Sequence, residues 1–118
     1  MRILIVEDHL EVLDCLRQYF SDKGHDVNTA ATVEEAVSCL SRWSPDLAIV
    51  DMLLPNGHGK QILQEIRRQE LPTRLVVVTG SDDLELRKEA KSLGVSDYLF
   101  KPLTIRDLDA LFKAEVER

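Results

Sequence analysis

Short, uninterrupted apolar segments recur along this chain of 118 residues, and they constrain its fold more than any other feature. Ile3–Val6, Leu47–Val50 and Leu75–Val78 are each wholly apolar, and Tyr98–Phe100 forms a shorter segment of the same kind. Runs of this length that are rich in Val, Ile and Leu are typical of strands buried on both faces of a parallel sheet. We therefore predict a parallel sheet that is covered by helices on both faces.

Helical segments separate the predicted strands from one end of the chain to the other. The predicted strands are Arg2 to Val6, Asp26 to Thr29, Leu47 to Val50, Leu75 to Val78 and Asp97 to Phe100. The alternation is that of an α/β protein, (βα)5, with right-handed crossovers and a doubly wound sheet of five parallel strands. The flavodoxin-like strand order 2-1-3-4-5 is the common solution at this size, and it places the first and third strands side by side.

Local signals mark the helices of this pattern. The first helix is predicted from His9 to Lys23 with Gly24 after it, and the second opens at a capping box formed by Thr32 and Glu35. Asp82 or Asp83 is predicted to cap the fourth helix, and Thr104 with Asp107 begins the last helix. The expected inward face of the first helix consists of Val12, Leu16, Tyr19 and Phe20.

Composition and charge narrow the class of protein. A chain of 118 residues that is 44% hydrophobic fits one compact domain, residues 1–118. The net charge of -6 argues against direct nucleic-acid binding and against docking on an anionic membrane. No apolar run is long enough to span a bilayer, and the first strand begins so near Met1 that no signal peptide is expected. We expect a cytoplasmic domain in which Cys15 and Cys39 are reduced thiols that face the core.

Polar residues follow directly where the apolar segments end. Glu7 and Asp8 follow the first strand, Asp51 the third, Thr79 the fourth and Lys101 the fifth. Because ligands of parallel α/β sheets bind beyond the carboxyl ends of the strands, we expect these side chains to meet at one edge. Three carboxylates with one lysine suit a divalent cation, Mg2+ or Mn2+, together with a phosphoryl group.

Each of these residues has a role in that chemistry and also a simpler interpretation. Asp51, on the central strand, is the candidate nucleophile toward phosphorus, while Lys101 and Thr79 would bind phosphoryl oxygens. Taken singly, an Asp at a strand end is more often a turn or helix-cap residue, and Asp8 could simply favour the dipole of the following helix. It is the joint placement of the five residues that favours the functional interpretation.

Three histidines, His9, His25 and His58, lie outside this set. None of them has a partner at a spacing typical of a metal site on a helix or strand. We predict that all three side chains are solvated or half-buried.

The residues at the strand ends, taken together and in order, resemble the receiver domain of two-component response regulators. The matching motifs are Glu7-Asp8, Asp51, Thr79-Gly80 and Lys101-Pro102, supported by Gly24, Pro55, Gly59 and the segment Gly94–Phe100. The resemblance extends over essentially the whole chain. Each motif alone is weak, but their order and spacing together are highly specific to that family.

The resemblance implies a phosphoacceptor site. Asp51 would accept a phosphoryl group from a phosphohistidine on a sensor histidine kinase or a histidine phosphotransfer protein. Glu7 and Asp8 would hold Mg2+ (or Mn2+) with Asp51, and the Leu53 backbone carbonyl would be a further ligand. Lys101 would pair with Asp51 and then with the phosphoryl group. Such a domain catalyses only its own phosphorylation and dephosphorylation and is otherwise not an enzyme.

The resemblance also implies a switch. The Lys101–Pro102 peptide bond would be cis, a state that is tolerated before proline. Thr79 would shift toward the phosphoryl group and Tyr98 would then turn inward. The surface made by the fourth helix, the fifth strand and the fifth helix would change, and a downstream effector domain or protein would respond.

Three other functions remain as alternatives at this point. The first is a pseudo-receiver that binds proteins independently of phosphorylation. The second is a small phosphatase that forms an aspartyl phosphate, although such enzymes usually have a second Asp where this chain has Leu53. The third is a flavin- or dinucleotide-binding domain, which the absence of a Gly-rich loop after the first strand disfavours.

Overall fold

The chain alternates strands and helices in the order predicted from its apolar segments. The computed structural model describes residues 1–55, 57–80 and 83–116. The elements are β1 (Arg2–Val6), α1 (Leu10–Asp22), β2 (Asp26–Ala30), α2 (Val33–Leu40), β3 (Leu47–Asp51), α3 (Gly59–Arg68), β4 (Arg74–Thr79), α4 (Leu84–Ser92), β5 (Val95–Phe100) and α5 (Ile105–Val116). Within these ranges, none of the helices is long and apolar enough to cross a membrane.

The five strands form a parallel sheet in the order β2-β1-β3-β4-β5. This is the doubly wound, flavodoxin-like order 2-1-3-4-5, so the predicted fold class is confirmed. A separate antiparallel ribbon pairs Leu53–Leu54 with Gly57–His58 just after β3. The ribbon was not predicted, because strands of two residues carry no periodicity.

Alternate residues of each strand face the two layers of helices. On β1, Leu4 and Val6 belong to one core with residues of α2, α3 and α4, whereas Ile3 and Ile5 belong to the other core with α1 and α5. Both faces of the sheet are therefore buried at β1, β3 and β4, which explains why these three strands are largely apolar rather than alternating. In these strands the polar residues lie at the ends, whereas the edge strands β2 and β5 also carry polar residues within the strand.

Four strands extend beyond their predicted bounds, since β2 ends on Ala30 and β3 on Asp51, each one residue later than predicted. β4 ends on Thr79, one residue after the apolar run, and β5 begins at Val95 rather than Asp97. Val95 pairs with Leu75, and the register then shifts before Val76 pairs with Asp97. The start of β5 was missed because this strand lies at the edge of the sheet and its residues are only partly buried.

Two expectations about α1 were wrong. Val12 is 41% exposed, and Leu13 occupies the inward position together with Leu16 and Phe20. Both residues fit a helical apolar stripe, and the packing of α1 against the sheet decides between them. Cys15 is exposed and does not face the core, whereas Cys39 is buried as expected.

The predicted caps agree with the structure except in one detail. Thr32 Oγ1 accepts a hydrogen bond from the Glu35 amide, but the Glu35 carboxylate accepts from Ala31 rather than from Thr32. Thr104 and Asp107 form a reciprocal box. Asp83 caps α4 by accepting from two backbone amides, while Asp82 lies outside the described residues.

One arginine joins the end of α3 to the end of α4. The Arg67 guanidinium donates to the backbone carbonyls of Leu93 at 2.7 Å and Gly94 at 3.3 Å. It also donates to the carbonyls of Leu71 at 3.1 Å and Thr73 at 3.2 Å. Of the α4 side chains in the described residues, only Ala90 is fully buried, so the hydrogen bonds from Arg67 help to hold the C-terminal end of α4.

Arg67→Gln is expected to lower the free energy of unfolding by about 1–3 kcal/mol, because part-buried carbonyls lose a charged donor. Amide hydrogen exchange should accelerate in residues 84–94. Arg68→Gln is the matched control, since Arg68 is exposed and, among the residues that the structure describes, its guanidinium pairs only with Glu65 on its own helix. Urea unfolding followed by Trp43 fluorescence measures both variants, and equal losses would contradict the role of Arg67.

Candidate functional site

The predicted site residues lie at the carboxyl edge of the sheet. Glu7 comes directly after β1, Asp51 and Thr79 are the last residues of β3 and β4, and Lys101 follows β5. These four strands are neighbours in the sheet, so the order of strands brings together residues that are up to 94 positions apart. Glu7, Asp51 and Thr79 are all buried.

Lys101 joins the two buried carboxylates. Its Nζ lies 2.9 Å from Asp51 Oδ2 and 3.1 Å from both carboxylate oxygens of Glu7. The Lys101 side chain is 32% exposed, whereas those of Glu7 and Asp51 are 4% exposed. A buried pair of acids requires either a compensating cation or a bound proton, and in this structure the ammonium group of Lys101 supplies positive charge.

Burial and crowding shift the protonation of this cluster. Burial, together with the adjacent Asp51 carboxylate, raises the pKa of Glu7 from 4.5 to about 7, and Lys101 offsets the shift only in part. Burial lowers the pKa of Lys101, but its hydrogen bonds to Asp51 and Glu7 outweigh this and raise the pKa overall. Lys101 therefore remains charged at neutral pH, while Glu7 binds a proton readily.

The backbone around Asp51 fixes its carboxylate. Asp51 Oδ1 accepts a hydrogen bond from the Leu53 amide at 3.0 Å, and Oδ2 faces Lys101. The Gly59 amide donates to the Met52 carbonyl at 3.0 Å and ties the start of α3 to the residue after Asp51. A Cβ at Gly59 would lie 2.4 Å from the Asp51 carbonyl oxygen, so this close approach requires glycine.

A second group of polar side chains adjoins the first. Glu7, Asp8 and His9 place one ligand atom each within 4.8 Å of one another, and His9 Nδ1 lies 3.8 Å from Glu7 Oε1. In the described ranges this is the one group of three or more such side chains close enough to hold a metal ion. Glu7 therefore belongs both to this group and to the cluster with Asp51 and Lys101.

The residues predicted to switch lie next to this cluster. The Lys101 amide donates to the Thr79 carbonyl at 2.8 Å, and the Lys101–Pro102 peptide bond is cis. Tyr98 is half-buried and packs against the core under α4. The Arg87 guanidinium lies 5.2 Å from the ring of Tyr98 and 5.6 Å from that of Phe100. A cation over two rings links α4 to β5.

The structure brings Glu7, Asp51 and Lys101 into contact, and it places Asp8 beside Glu7. Two features were missed in the sequence analysis. Lys101 was expected to pair with Asp51, and the contact that the longer side chain of Glu7 also makes with it was not predicted. His9 is solvated as predicted, with 77% of its side chain exposed. Its ring nevertheless lies close to the carboxylates of Glu7 and Asp8, although no partner at a metal-site spacing was predicted for it. Its position directly after two acids was the available signal.

A groove of about 820 Å3 lies beside this cluster, between α1 and the segment that follows β5. Val12 and Cys15 of α1 line one side, and Leu103 and Ile105 line the other. Lys101, Glu7 and His9 lie at its end nearest the acidic cluster.

The chain matches the family model described as the response regulator receiver domain over residues 3–113. It is similar to the transcriptional regulatory protein PhoP of Escherichia coli strain K12, with 32% identity over all of this chain and 53% of that protein. It is also similar to the alkaline phosphatase synthesis transcriptional regulatory protein PhoP of Bacillus subtilis strain 168, with 31% identity over 99% of this chain and 49% of that protein. The chain thus spans about half the length of the curated relatives it matches.

Solved structures show the same similarity. A CheY-like response regulator receiver domain protein from Methanospirillum hungatei has a TM-score of 0.89 and 30% identity, covering 98% of this chain and 93% of that chain. The signal receiver domain of a putative LuxO repressor protein from Vibrio parahaemolyticus has a TM-score of 0.88 and 27% identity, covering 99% of this chain and 90% of that chain.

Proposed function

The chain belongs to the response regulator receiver domain family, and on that premise we propose that it is a phosphoacceptor whose acceptor residue is Asp51. The observation that carries the proposal is the contact of Lys101 Nζ with Asp51 Oδ2 at 2.9 Å, on a buried carboxylate at the carboxyl edge of the sheet. A buried aspartate beside a fixed ammonium group can attack phosphorus and have the developing charge on the phosphoryl oxygens stabilised.

The proposed step is an in-line transfer. A carboxylate oxygen of Asp51 attacks the phosphorus of a phosphohistidine, and an acyl phosphate bond forms as the phosphorus–nitrogen bond breaks. The electron pair of that bond returns to the imidazole nitrogen, which takes a proton. Lys101 moves from the Asp51 carboxylate to a phosphoryl oxygen, and Thr79 supplies a hydroxyl donor to another.

The chemistry of the donor atoms at this edge fits a divalent cation, although Asp51 lies outside the close group of Glu7, Asp8 and His9. Glu7 and Asp8 would hold Mg2+ together with Asp51 and the Leu53 backbone carbonyl, a set of oxygen ligands that Mg2+ prefers and that Mn2+ also accepts. When bound, the ion offsets negative charge on the phosphoryl group. The raised pKa of Glu7 indicates that its buried carboxylate lacks sufficient compensation from Lys101 alone, which is the situation a bound cation relieves.

The groove beside the cluster supports a partner assignment. We assign it to the sensor histidine kinase or histidine phosphotransfer protein that donates the phosphoryl group, because it is largely apolar and opens beside Lys101. Leu10 of α1 and Ile105 of α5, which are 70% and 67% exposed, add apolar surface near it.

A change in a second surface, away from the groove, would carry the signal to the downstream partner. Phosphorylation draws Thr79 toward the phosphoryl group, Tyr98 follows, and the surface of α4, β5 and α5 changes. A downstream effector domain or protein would bind that surface, and the domain itself would act in the cytoplasm without binding nucleic acid directly. Arg87, which lies over Tyr98, would transmit the change to α4.

Intact mass after incubation with acetyl phosphate and Mg2+ tests the proposal. We expect one phosphoryl adduct on the wild-type protein and none on Asp51→Ala. Among the described carboxylates only Asp51 and Glu7 contact Lys101, and the proposal assigns Glu7 to the metal ion. Asp14→Asn is the control, since Asp14 is exposed and pairs with Arg17 on α1. The adduct should be absent in EDTA.

An equal adduct on Asp51→Ala would assign phosphorylation to another residue and contradict the proposal. A folded wild-type protein that takes up no phosphoryl group, despite bound Mg2+, would instead support the phosphorylation-independent pseudo-receiver. In that case the roles given to Thr79 and Lys101 would be lost with that of Asp51.

A further inference from the structure

We propose that His9 is an additional metal ligand, and that it makes this site prefer first-row transition ions such as Mn2+ to Mg2+. The inference deepens the proposed function and rests on it, because the ion is the one that Glu7 and Asp8 would hold. The three residues are consecutive, at the turn from β1 into α1.

The distances suit a shared ion. Ligand atoms about 2.1 Å from an octahedral ion lie about 3.0 Å apart when adjacent and about 4.2 Å apart when opposite. His9 Nδ1 is 3.8 Å from Glu7 Oε1, which lies between these values and is too long for a hydrogen bond. The full set, with Asp8, lies within 4.8 Å, so modest side-chain rotation would bring all three atoms onto one ion.

The local structure leaves two of these side chains available. His9 occupies the N-cap position of α1, but its side chain makes no capping hydrogen bond. Within the described part of the chain, Asp8 makes no hydrogen bond or ion pair, and it is partly exposed. Lys101 donates to both carboxylate oxygens of Glu7 and to Asp51, so Glu7 Oε1 lies between the Lys101 ammonium group and His9.

The identity of the donor atom then determines which ion is favoured. Mg2+ is a hard ion that prefers oxygen ligands and keeps several waters. Imidazole nitrogen is a softer donor, which first-row transition ions accept more readily than Mg2+ does. A site with carboxylates alone would therefore discriminate less strongly between Mn2+ and Mg2+ than a site in which His9 supplies a nitrogen ligand.

Electron paramagnetic resonance of the full chain at pH 8, with Mn2+ as the probe, tests the proposal. Loss of the free Mn2+ signal gives the affinity, and back-titration with Mg2+ gives the Mn2+/Mg2+ preference. Pulsed measurements report nitrogen-14 coupled to bound Mn2+. His9→Asn is the test variant and His58→Asn the control, because asparagine is a favourable N-cap at both positions and both proteins should fold.

We expect nitrogen coupling in the wild-type protein and in His58→Asn, its loss in His9→Asn, and a fall of about tenfold in the Mn2+/Mg2+ preference of His9→Asn. Mn2+ binding without nitrogen coupling, or an unchanged preference in His9→Asn, would overturn the role of His9 while leaving the carboxylate site intact. Loss of the nitrogen coupling in His58→Asn but not in His9→Asn would also overturn the role of His9. Failure of Mn2+ to bind the wild-type protein would overturn both this inference and the proposed metal site.

Discussion

Gly59→Ala is expected to lower the free energy of unfolding by roughly 2–4 kcal/mol, because the new methyl group would overlap backbone atoms. Its Cβ would lie 2.4 Å from the Asp51 carbonyl oxygen and 2.8 Å from the Met52 Cα, and neither atom belongs to a flexible side chain. Alanine is otherwise the better helix residue by about 1 kcal/mol, so helix propensity alone predicts the opposite sign.

The same substitution should weaken the site. To admit the methyl group, α3 must move away from the end of β3, and the hydrogen bond from the Gly59 amide to the Met52 carbonyl must lengthen. That movement displaces the Leu53 amide, which holds Asp51 Oδ1. We therefore expect slower phosphorylation by acetyl phosphate at a temperature where the variant is still folded.

Gly80→Ala is the matched control, since Gly80 also follows a strand at the same edge. Among the described residues other than Gly80 and its chain neighbours, no heavy atom lies within 4 Å of a Cβ placed there. Its unfolding midpoint in urea should stay close to that of the wild-type protein. Comparable losses for the two variants would show that the close approach at Gly59 does not govern stability.

Glu7→Gln is expected to raise the free energy of unfolding of the metal-free protein at pH 8, by on the order of 1–3 kcal/mol, and to abolish tight Mg2+ binding. The two effects have one cause. The buried carboxylate of Glu7 adjoins Asp51, and together they have only Lys101 as a close compensating charge among the described residues. Glutamine removes the charge that repels Asp51 and also removes a ligand for the cation.

The sign follows from the pKa of Glu7, which is 4.5 ordinarily and about 7 in the folded chain. Between these values the folded protein holds the proton more tightly than the unfolded chain does. The stabilisation that the raised pKa of Glu7 gives to the folded protein is therefore complete below pH 4.5, and it is lost as the pH rises through 7. Stability in EDTA should fall over this window in the wild-type protein, and less in Glu7→Gln.

Urea titrations at several pH values, with and without Mg2+, measure this effect. Saturating Mg2+ should weaken or reverse the pH trend in the wild-type protein, since the ion binds the deprotonated carboxylate. Glu11→Gln is the control because Glu11 is an exposed carboxylate on α1. If Glu7→Gln were less stable than the wild-type protein at pH 8 in EDTA, the ion pair with Lys101 would outweigh the repulsion, and our account of Glu7 would be wrong.

The fold could be predicted because its strands are buried on both faces. Segments such as Ile3–Val6 and Leu47–Val50 must be continuously apolar when helices cover the sheet above and below, so the sequence pattern and the fold have the same physical cause. The polar residues that end these segments could be predicted as a group for the same reason, because only the strand ends reach solvent and ligands.

Other features depended on exact distances, which periodicity does not contain. Val12 and Leu13 are both apolar, and only the contact of α1 with the sheet buries Leu13. The length of the Glu7 side chain matters only because Lys101 lies within its reach in the folded chain.

The chain by itself therefore determined the layers of the fold and the edge at which its chemistry lies, because local patterns of burial encode both. The tertiary structure alone decided that Lys101 joins Glu7 to Asp51. Such contacts depend on the register of neighbouring strands and on the direction of each side chain, which arise only when residues distant in sequence pack together.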